Sequence, residues 1–297
     1  MIEQIAPVFI FVLLGYIFKM IKHDISEALT EFVIYFSLPA LALAKIRNLD
    51  FNAEIIHIIL IGYVVMGLAS IFAYSAGRML KLSKKDTATL MMVSIFGNTA
   101  FVGFSYIESF YSLDYVVYAL VYDQMASFIA LLTFGVVIIA WGSGEGNNVK
   151  KVAIQMFTSP PLIAIGAALY FHGTVFPSFI EVMLDKFQAT LIPLVTTIVG
   201  MKLEIRALNQ YFKENMVALS IKMVITPFIL LIFLYFFADL SQSWLKVTFL
   251  ETAMPPMTMA VVLAIRGGLN KDLAINALAL GILFSFVSIG LWNMVIL

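Results

Sequence analysis

The chain of 297 residues is 62% hydrophobic and only 12% charged, and it contains no cysteine. A soluble domain of this length would be about half apolar and about a quarter charged, so the composition excludes a soluble protein and indicates an integral membrane protein. The 18 basic and 18 acidic residues give zero net charge, and nothing therefore points to a nucleic-acid partner. The lack of cysteine excludes disulfides and thiolate metal sites.

Ten apolar stretches, each close to the ~20 residues that cross a bilayer core, are separated by short polar turns. They cover residues 4–20, 27–45, 55–78, 87–110, 115–140, 152–171, 180–201, 215–237, 244–266 and 273–296. The first stretch has neither the basic segment nor the small-residue cleavage site of a signal peptide, so we interpret it as a span. The sequence thus predicts an all-α polytopic protein embedded in a lipid bilayer.

The loops on one side of these spans hold most of the Lys and Arg residues, including Arg78, Lys81, Lys84 and Lys85. Loops rich in Lys and Arg stay in the cytoplasm. We therefore predict a multi-pass protein of the cytoplasmic (inner) membrane with both termini outside.

The two halves of the chain resemble each other. Pro39 and Pro193 occupy corresponding places, as do Asn98 and Pro255, at nearly constant spacing. Residues 1–148 and 149–297 each hold five spans, and an odd number of spans means that the second repeat is inverted relative to the first.

Two spans carry a helix break near their midpoints. The fourth has Phe96-Gly97-Asn98-Thr99-Ala100 and the ninth has Glu251-Thr252-Ala253-Met254-Pro255-Pro256. Backbone that leaves the helix at membrane depth is tolerated only inside protein or beside a wet cavity. Pro255-Pro256 alone would be explained by an ordinary kink, but matched breaks in two repeats favour a transporter binding site.

The residues at the breaks predict where a substrate binds. Asn98 is a good helix N-cap, and proline suits the first turn of a new helix. Both second halves would then point free N–H groups and positive dipole ends at one central point, which suits an anion. The predicted substrate-binding residues are Asn98, Thr99, Pro255, Pro256 and Met257.

Carboxylates at membrane depth are costly and usually bind cations or relay protons. Glu251, with backbone carbonyls of Thr252 and Met254, predicts a site for a hard cation. Asp123 and Gln124, near Asn98 and Thr99, predict a second ion-coupling cluster on the facing repeat. The structural alternative is that either acid is protonated or paired with a basic residue.

Lys222, inside the eighth span, is the possible charge partner of Glu251. Its side chain is also long enough to snorkel to the cytoplasmic interface, and this alternative is slightly favoured. The three histidines show no metal-ligand spacing, so we expect neither a resident metal nor a cofactor. An HExxH motif and the second aspartate of intramembrane aspartyl proteases are both missing, so the sequence does not indicate an enzyme.

Four motifs carry a family resemblance. They are Phe36-Ser37-Leu38-Pro39-Ala40-Leu41, Gly97-Asn98-Thr99-Ala100-Phe101-Val102-Gly103, Val199-Gly200-Met201-Lys202-Leu203, and Ala253-Met254-Pro255-Pro256 followed by Ala260-Val261-Val262-Leu263. Over essentially its whole length the chain resembles the auxin efflux carrier family, which includes bacterial malonate-transporter-like proteins and plant auxin exporters.

The resemblance implies a ten-helix fold similar to that of bile acid:sodium symporters, with crossed broken helices 4 and 9. Spans 1, 2, 6 and 7 would form a scaffold, and spans 3–5 with 8–10 a transport domain that moves like an elevator. Glu251-x-x-Met254 is similar to the sodium-site segment of the symporters.

The leading hypothesis is a secondary transporter that moves a small organic anion, with a carboxylate as the expected class, by symport with Na⁺ or H⁺. The alternatives are an uncoupled anion uniporter or channel and a membrane sensor that binds its ligand without moving it. A homodimer is one assembly that we consider.

Overall fold

The computed structural model of the protein describes residues 2–49, 52–144, 159–203 and 211–296. Within these ranges nearly every residue is helical, and the only β-type pairing is one isolated bridge. The all-helical prediction is therefore confirmed.

Twelve helical segments follow one another in the described ranges. They are α1 Ile2–Ile21, α2 Ser26–Asn48, α3 Ala53–Met79, α4 Lys84–Ile95, α5 99–110, α6 Leu113–Ser143, α7 Pro160–Tyr170, α8 Ser178–Lys202, α9 Phe212–Phe237, α10 Ser243–Thr252, α11 Thr258–Arg266 and α12 Lys271–Ile296. Helix α5 begins with a π-helical turn, Thr99–Gly103. Each segment coincides with a predicted span or with one half of a predicted broken span. The chain around the repeat boundary at 148/149 and Arg206 lie outside the described residues, as do residues 152–158 of the predicted sixth span.

Six of these helices, α2, α3, α6, α8, α9 and α12, are long and apolar enough to cross a membrane. Their outward faces carry large apolar side chains, such as Tyr235, Phe236 and Phe237 at the end of α9, which are 70–75% exposed. Apolar patches of this size would be a liability in water, whereas lipid covers them at no cost. The structure is thus that of a multi-pass membrane protein.

Helices α1 and α8 are in backbone contact. A Cβ atom added at Gly200 would lie 2.7 Å from the carbonyl carbon of Val12, and one added at Gly15 would lie 2.9 Å from that of Thr197. Small residues permit such close approach between membrane helices. Helix α2 packs against α7 and α8, so α1, α2, α7 and α8 form one group. Helix α3 packs against α4, α6, α9 and α10, and α12 packs against α4, α9 and α11.

Several long helices contain π-helical turns that the sequence did not predict. They lie at Val33–Ser37 in α2, Tyr122–Phe128 and Leu131–Gly135 in α6, and Ile221–Ile225 in α9. A π-turn leaves part of the helical hydrogen-bond ladder open and often marks a functional site. In α9 the indole N–H of Trp292 donates to the carbonyl of Met223 at 2.8 Å, which satisfies one of the freed acceptors.

Candidate functional site

Both predicted helix breaks are present. Helix α4 ends at Ile95, and the chain is extended at Phe96 before Asn98 starts the π-turn of α5. Helix α10 ends at Thr252, and the chain is extended at Met257 before α11 begins at Thr258. Each break therefore separates two short helices that are roughly half a span long.

The two breaks cross each other as a short antiparallel pair. The backbone N–H of Asn98 donates to the Pro255 carbonyl at 2.7 Å, and that of Met257 donates to the Phe96 carbonyl at 2.9 Å. Gly97 and Pro256 face each other in the bridge. We call residues 96–98 and 255–257 the crossing. Main-chain hydrogen bonds that would otherwise be lost at the breaks are made here between the two halves of the chain.

The crossing corrects one detail of the prediction. Pro255 and Pro256 were expected at the first turn of the second half-helix, but α11 starts only at Thr258. The two prolines instead lie in the extended segment. Proline has no N–H to donate, but its carbonyl can accept a hydrogen bond, as that of Pro255 does from Asn98. Proline is also compatible with extended backbone outside a central ladder.

The start of α5 is joined to the start of α11. The Asn98 side-chain oxygen accepts from the Phe101 N–H at 3.3 Å, which confirms its predicted capping. Its amide nitrogen donates to the Thr258 hydroxyl at 3.0 Å. The N-cap residue of α11, Met257, makes no side-chain capping bond. The two positive helix ends therefore meet, and that of α5 is the better capped.

Asp123 and Gln124 lie at the same place, in the π-turn of α6. The Thr99 hydroxyl and the Gln124 amide both donate to the Asp123 carboxylate, the latter at 2.6 Å. The backbone N–H of Ala100 also interacts with this carboxylate. Asp123 thus occupies the anion position at the N-terminus of α5. The structure brings together Asn98, Thr99, Asp123 and Gln124, as the sequence predicted, whereas their role in ion coupling stays a prediction.

Glu251 is completely buried in the last turn of α10, and neither of its carboxyl oxygens has a hydrogen-bond partner. The carboxyl group lies against Gly103: a Cβ atom there would be 2.5 Å from Oε1 and 2.7 Å from Cδ. Thr252 and Met254 are buried beside it. A buried carboxyl group without partners is costly, and the role of Glu251 in ion coupling stays a prediction.

Lys222 lies in the π-turn of α9 and is 2% exposed. Its ammonium group donates to the Thr252 carbonyl at 3.0 Å. The slightly favoured prediction that this side chain snorkels to the interface is therefore wrong, because its ammonium group is buried at the crossing. Among the described residues no ion pair within 4 Å links it to Glu251, but the two groups interact electrostatically over a longer distance.

A cavity of about 680 Å³ opens beside the crossing, between the group that contains α2 and α7 and the rest of the protein. From the crossing side it is lined by Asn98, Ala100, Phe101, Asp123, Gln124, Phe128, Met257, Met259, Val262, Leu263 and Arg266. From the other side it is lined by Glu31, Ile34, Tyr35, Leu38, Ser159, Pro160 and Pro161. Concave apolar sites with a few polar groups are typical of ligand pockets.

Comparison with known proteins identifies the family of the chain. A family described as "Membrane transport protein" matches residues 1–293. The chain belongs to this family. The resemblance to the auxin efflux carriers is thereby confirmed. Two relatives, each described as an uncharacterized transporter, cover 99% of this chain and 98% of their own length. They come from Methanothermobacter thermautotrophicus at 25% identity and Methanocaldococcus jannaschii at 26%.

Sequence reasoning missed three neighbours of the site. Thr258 joins the two half-helices, Gly103 makes room for the Glu251 carboxyl group, and Arg266 lies at the cavity. Gly103 does stand in the same motif as Asn98, five residues further on. Glycine within a helical stretch signals close approach of another group, but the approaching residue is distant in the chain.

Proposed function

We propose that the protein is a secondary active transporter that moves a small organic anion, with carboxylates as the expected class, across the cytoplasmic membrane by symport with a cation. Membership in a family of membrane transport proteins supports transport as such. The crossing carries the rest of the proposal, because it places two helix N-termini beside one cavity.

The anion binds, in this proposal, at the start of α11. The start of α5 is already capped by the Asn98 side chain and lies against the Asp123 carboxylate. The start of α11 has no side-chain cap, and Met257 lines the cavity. Unpaired N–H groups at a helix start bind anions without a full positive charge. The side-chain Oε1 of Gln124 is buried at the cavity without a partner; as an acceptor it suits a cation or a donor group of the substrate, not the carboxylate itself.

Charge balance explains why a cation would move with the anion. The centre of the protein holds two buried carboxyl groups, Asp123 and Glu251, and one buried ammonium group, Lys222. An anion bound beside Asp123 adds a further negative charge in a medium that penalises uncompensated charge. Uptake of H⁺ or Na⁺ offsets this cost, so binding of the anion and of the cation becomes mutually favourable.

The movement would take place between the two helix groups that border the cavity. We propose that α4 with α5 and α10 with α11 each form one broken span, which gives ten spans in two inverted repeats. Helices α1, α2, α7 and α8 would be the scaffold, and the other helices an elevator-like transport domain. The cavity extends from the crossing to Arg266 at the end of α11 and to Glu31 near the start of α2, both close to predicted cytoplasmic loops, so this conformation would face inward.

Purified protein in proteoliposomes tests the proposal with radiolabelled mono- and dicarboxylates and imposed Na⁺ or pH gradients. We expect at least one carboxylate to accumulate above equilibrium while a gradient persists. Uptake that reaches equilibrium and ignores both gradients would indicate a uniporter. Currents too large for a carrier would indicate a channel, and binding without uptake would indicate a sensor.

A pair of methionine variants tests the position of the site. Met259→Trp fills the cavity beside the crossing and should abolish binding and uptake. Met216→Trp is the matched control, because Met216 lines a separate apolar groove between α3 and α9 and is also partly buried. Equal loss of uptake in both variants would contradict the proposed site.

A further inference from the structure

The ammonium group of Lys222 lies where the two helix breaks meet. It donates to the carbonyl of Thr252, the last residue of α10, at 3.0 Å. From the other break it approaches Gly97, where an added Cβ atom would lie 3.0 Å from Nζ and 3.1 Å from Cε. Glycine at position 97 therefore leaves just enough room for the lysine side chain.

The surroundings of this ammonium group are those of a cation site. The C-terminal end of a helix carries a partial negative charge, which stabilises cations. The carboxyl group of Glu251 precedes Thr252 in the chain and has no hydrogen-bond partner. A carboxylate together with backbone carbonyls is the ligand set that a hard cation takes, and the sequence predicted such a cation at Glu251 with the carbonyls of Thr252 and Met254. The structure instead places a covalently attached cation on the Thr252 carbonyl.

We propose that Lys222 is a resident cation of the crossing, which takes the place of Na⁺ at Glu251 and Thr252, so that this segment needs no Na⁺. The consequence for transport rests on the proposed function above: a cation that moves with the substrate would have to engage Asp123 and not Glu251. The statement about Na⁺ binding concerns the folded protein alone and is tested without a substrate.

Removal of the ammonium group should create a need for Na⁺. In Lys222→Met the Glu251 carboxyl group and the Thr252 carbonyl remain, and the positive charge between the breaks is gone. We expect the apparent melting temperature of this variant in detergent to be lower than that of the wild type in choline chloride and to rise with NaCl concentration, since an ion that binds only the folded state stabilises it. The wild type should melt at the same temperature in both salts.

Lys213→Met is the matched control, because Lys213 lies on the same helix but is exposed. It should behave like the wild type in both salts. A wild-type protein that NaCl stabilises, with the effect abolished by Glu251→Gln, would overturn the proposal. So would a Lys222→Met variant that melts like the wild type and ignores Na⁺.

A double variant covers the case in which Lys222→Met fails to fold. Removal of one member of a buried charge pair leaves the other uncompensated, whereas removal of both does not. Lys222→Met/Glu251→Gln should therefore fold and should ignore Na⁺, and a double variant no more stable than the single one would overturn the pairing. Absence of carboxylate uptake combined with the expected Na⁺ responses would contradict the proposed function and leave the resident cation standing.

Discussion

Gly103→Ala is expected to disturb the Glu251 carboxyl group directly. Gly103 closes the π-turn at the start of α5, and Glu251 lies on α10, in the other half of the chain. The added methyl group would lie 2.5 Å from Oε1 and 2.7 Å from Cδ of Glu251. Because non-bonded heavy atoms rest about 3.5 Å apart, the carboxyl group has to retreat by about 1 Å.

The retreat is costly because Glu251 is completely buried. Overpacking of a core by one methyl group typically costs about 1–3 kcal/mol. Alanine gains about 0.5–1 kcal/mol over glycine in a helix, so part of the loss is offset. We expect a net loss of about 1–2 kcal/mol in unfolding free energy, together with a loss of uptake because the displaced carboxyl group disturbs the crossing that borders the proposed binding site.

Thermal unfolding in detergent and uptake in proteoliposomes measure the two effects. Gly166→Ala is the control, because nothing lies within 4 Å of the added Cβ atom in α7, and it should be neutral or slightly stabilising. Glu251→Asp shortens the side chain by one methylene. The double variant Gly103→Ala/Glu251→Asp should therefore be more stable than Gly103→Ala alone. If Gly103→Ala melts and transports like Gly166→Ala, the packing argument for Glu251 is refuted.

Three further substitutions test other parts of the protein. Gly200→Ala places a methyl group of α8 against the backbone of α1, which cannot rotate away. The melting temperature of this variant should therefore fall well below that of Gly166→Ala. Equal melting temperatures would show that α1 and α8 separate freely. Asn98→Ala loses a helix cap and the hydrogen bond to Thr258, which contribute about 1 kcal/mol each. Denaturant unfolding should therefore show a loss of about 2 kcal/mol in unfolding free energy. A loss below half that value would contradict the assigned contacts. Asp123→Asn removes the charge beside the cavity and keeps the side-chain size, so binding of the anion in a filtration assay should persist while uptake no longer responds to Na⁺ or pH gradients; continued accumulation against a gradient would refute the coupling role.

The surface and the buried ion pairs of the described residues differ in what they contribute. Lys45 and Asp114 meet at 2.7 Å, but the Asp114 side chain is 82% exposed, and such pairs contribute about 1 kcal/mol or less. Arg47 is 3% exposed, meets Glu181 at 2.7 Å and lies over the ring of Phe176. The second arrangement ties the end of α2 to α8 and is part of the packing of that helix group.

The membrane class, the helix positions and the two breaks follow from the amino-acid sequence alone. These features are local, since they depend on the length of apolar stretches and on residues such as Asn98 and Pro255 that alter the backbone where they stand. The proximity of Thr99 and Asp123 was also predictable, because both lie near the midpoint of neighbouring spans. The family resemblance added the crossing of the broken helices.

The way in which the two breaks pair at the crossing depends on contacts between distant parts of the chain. The two prolines are extended and not helical because the backbone of residues 96–98 supplies hydrogen bonds to their segment from the other half of the chain. Lys222 points inward, where its ammonium group binds the Thr252 carbonyl, a group thirty residues away in the chain. Hydrogen bonds and close contacts between distant residues depend on the packing of whole helices, and periodicity along one helix does not contain that information.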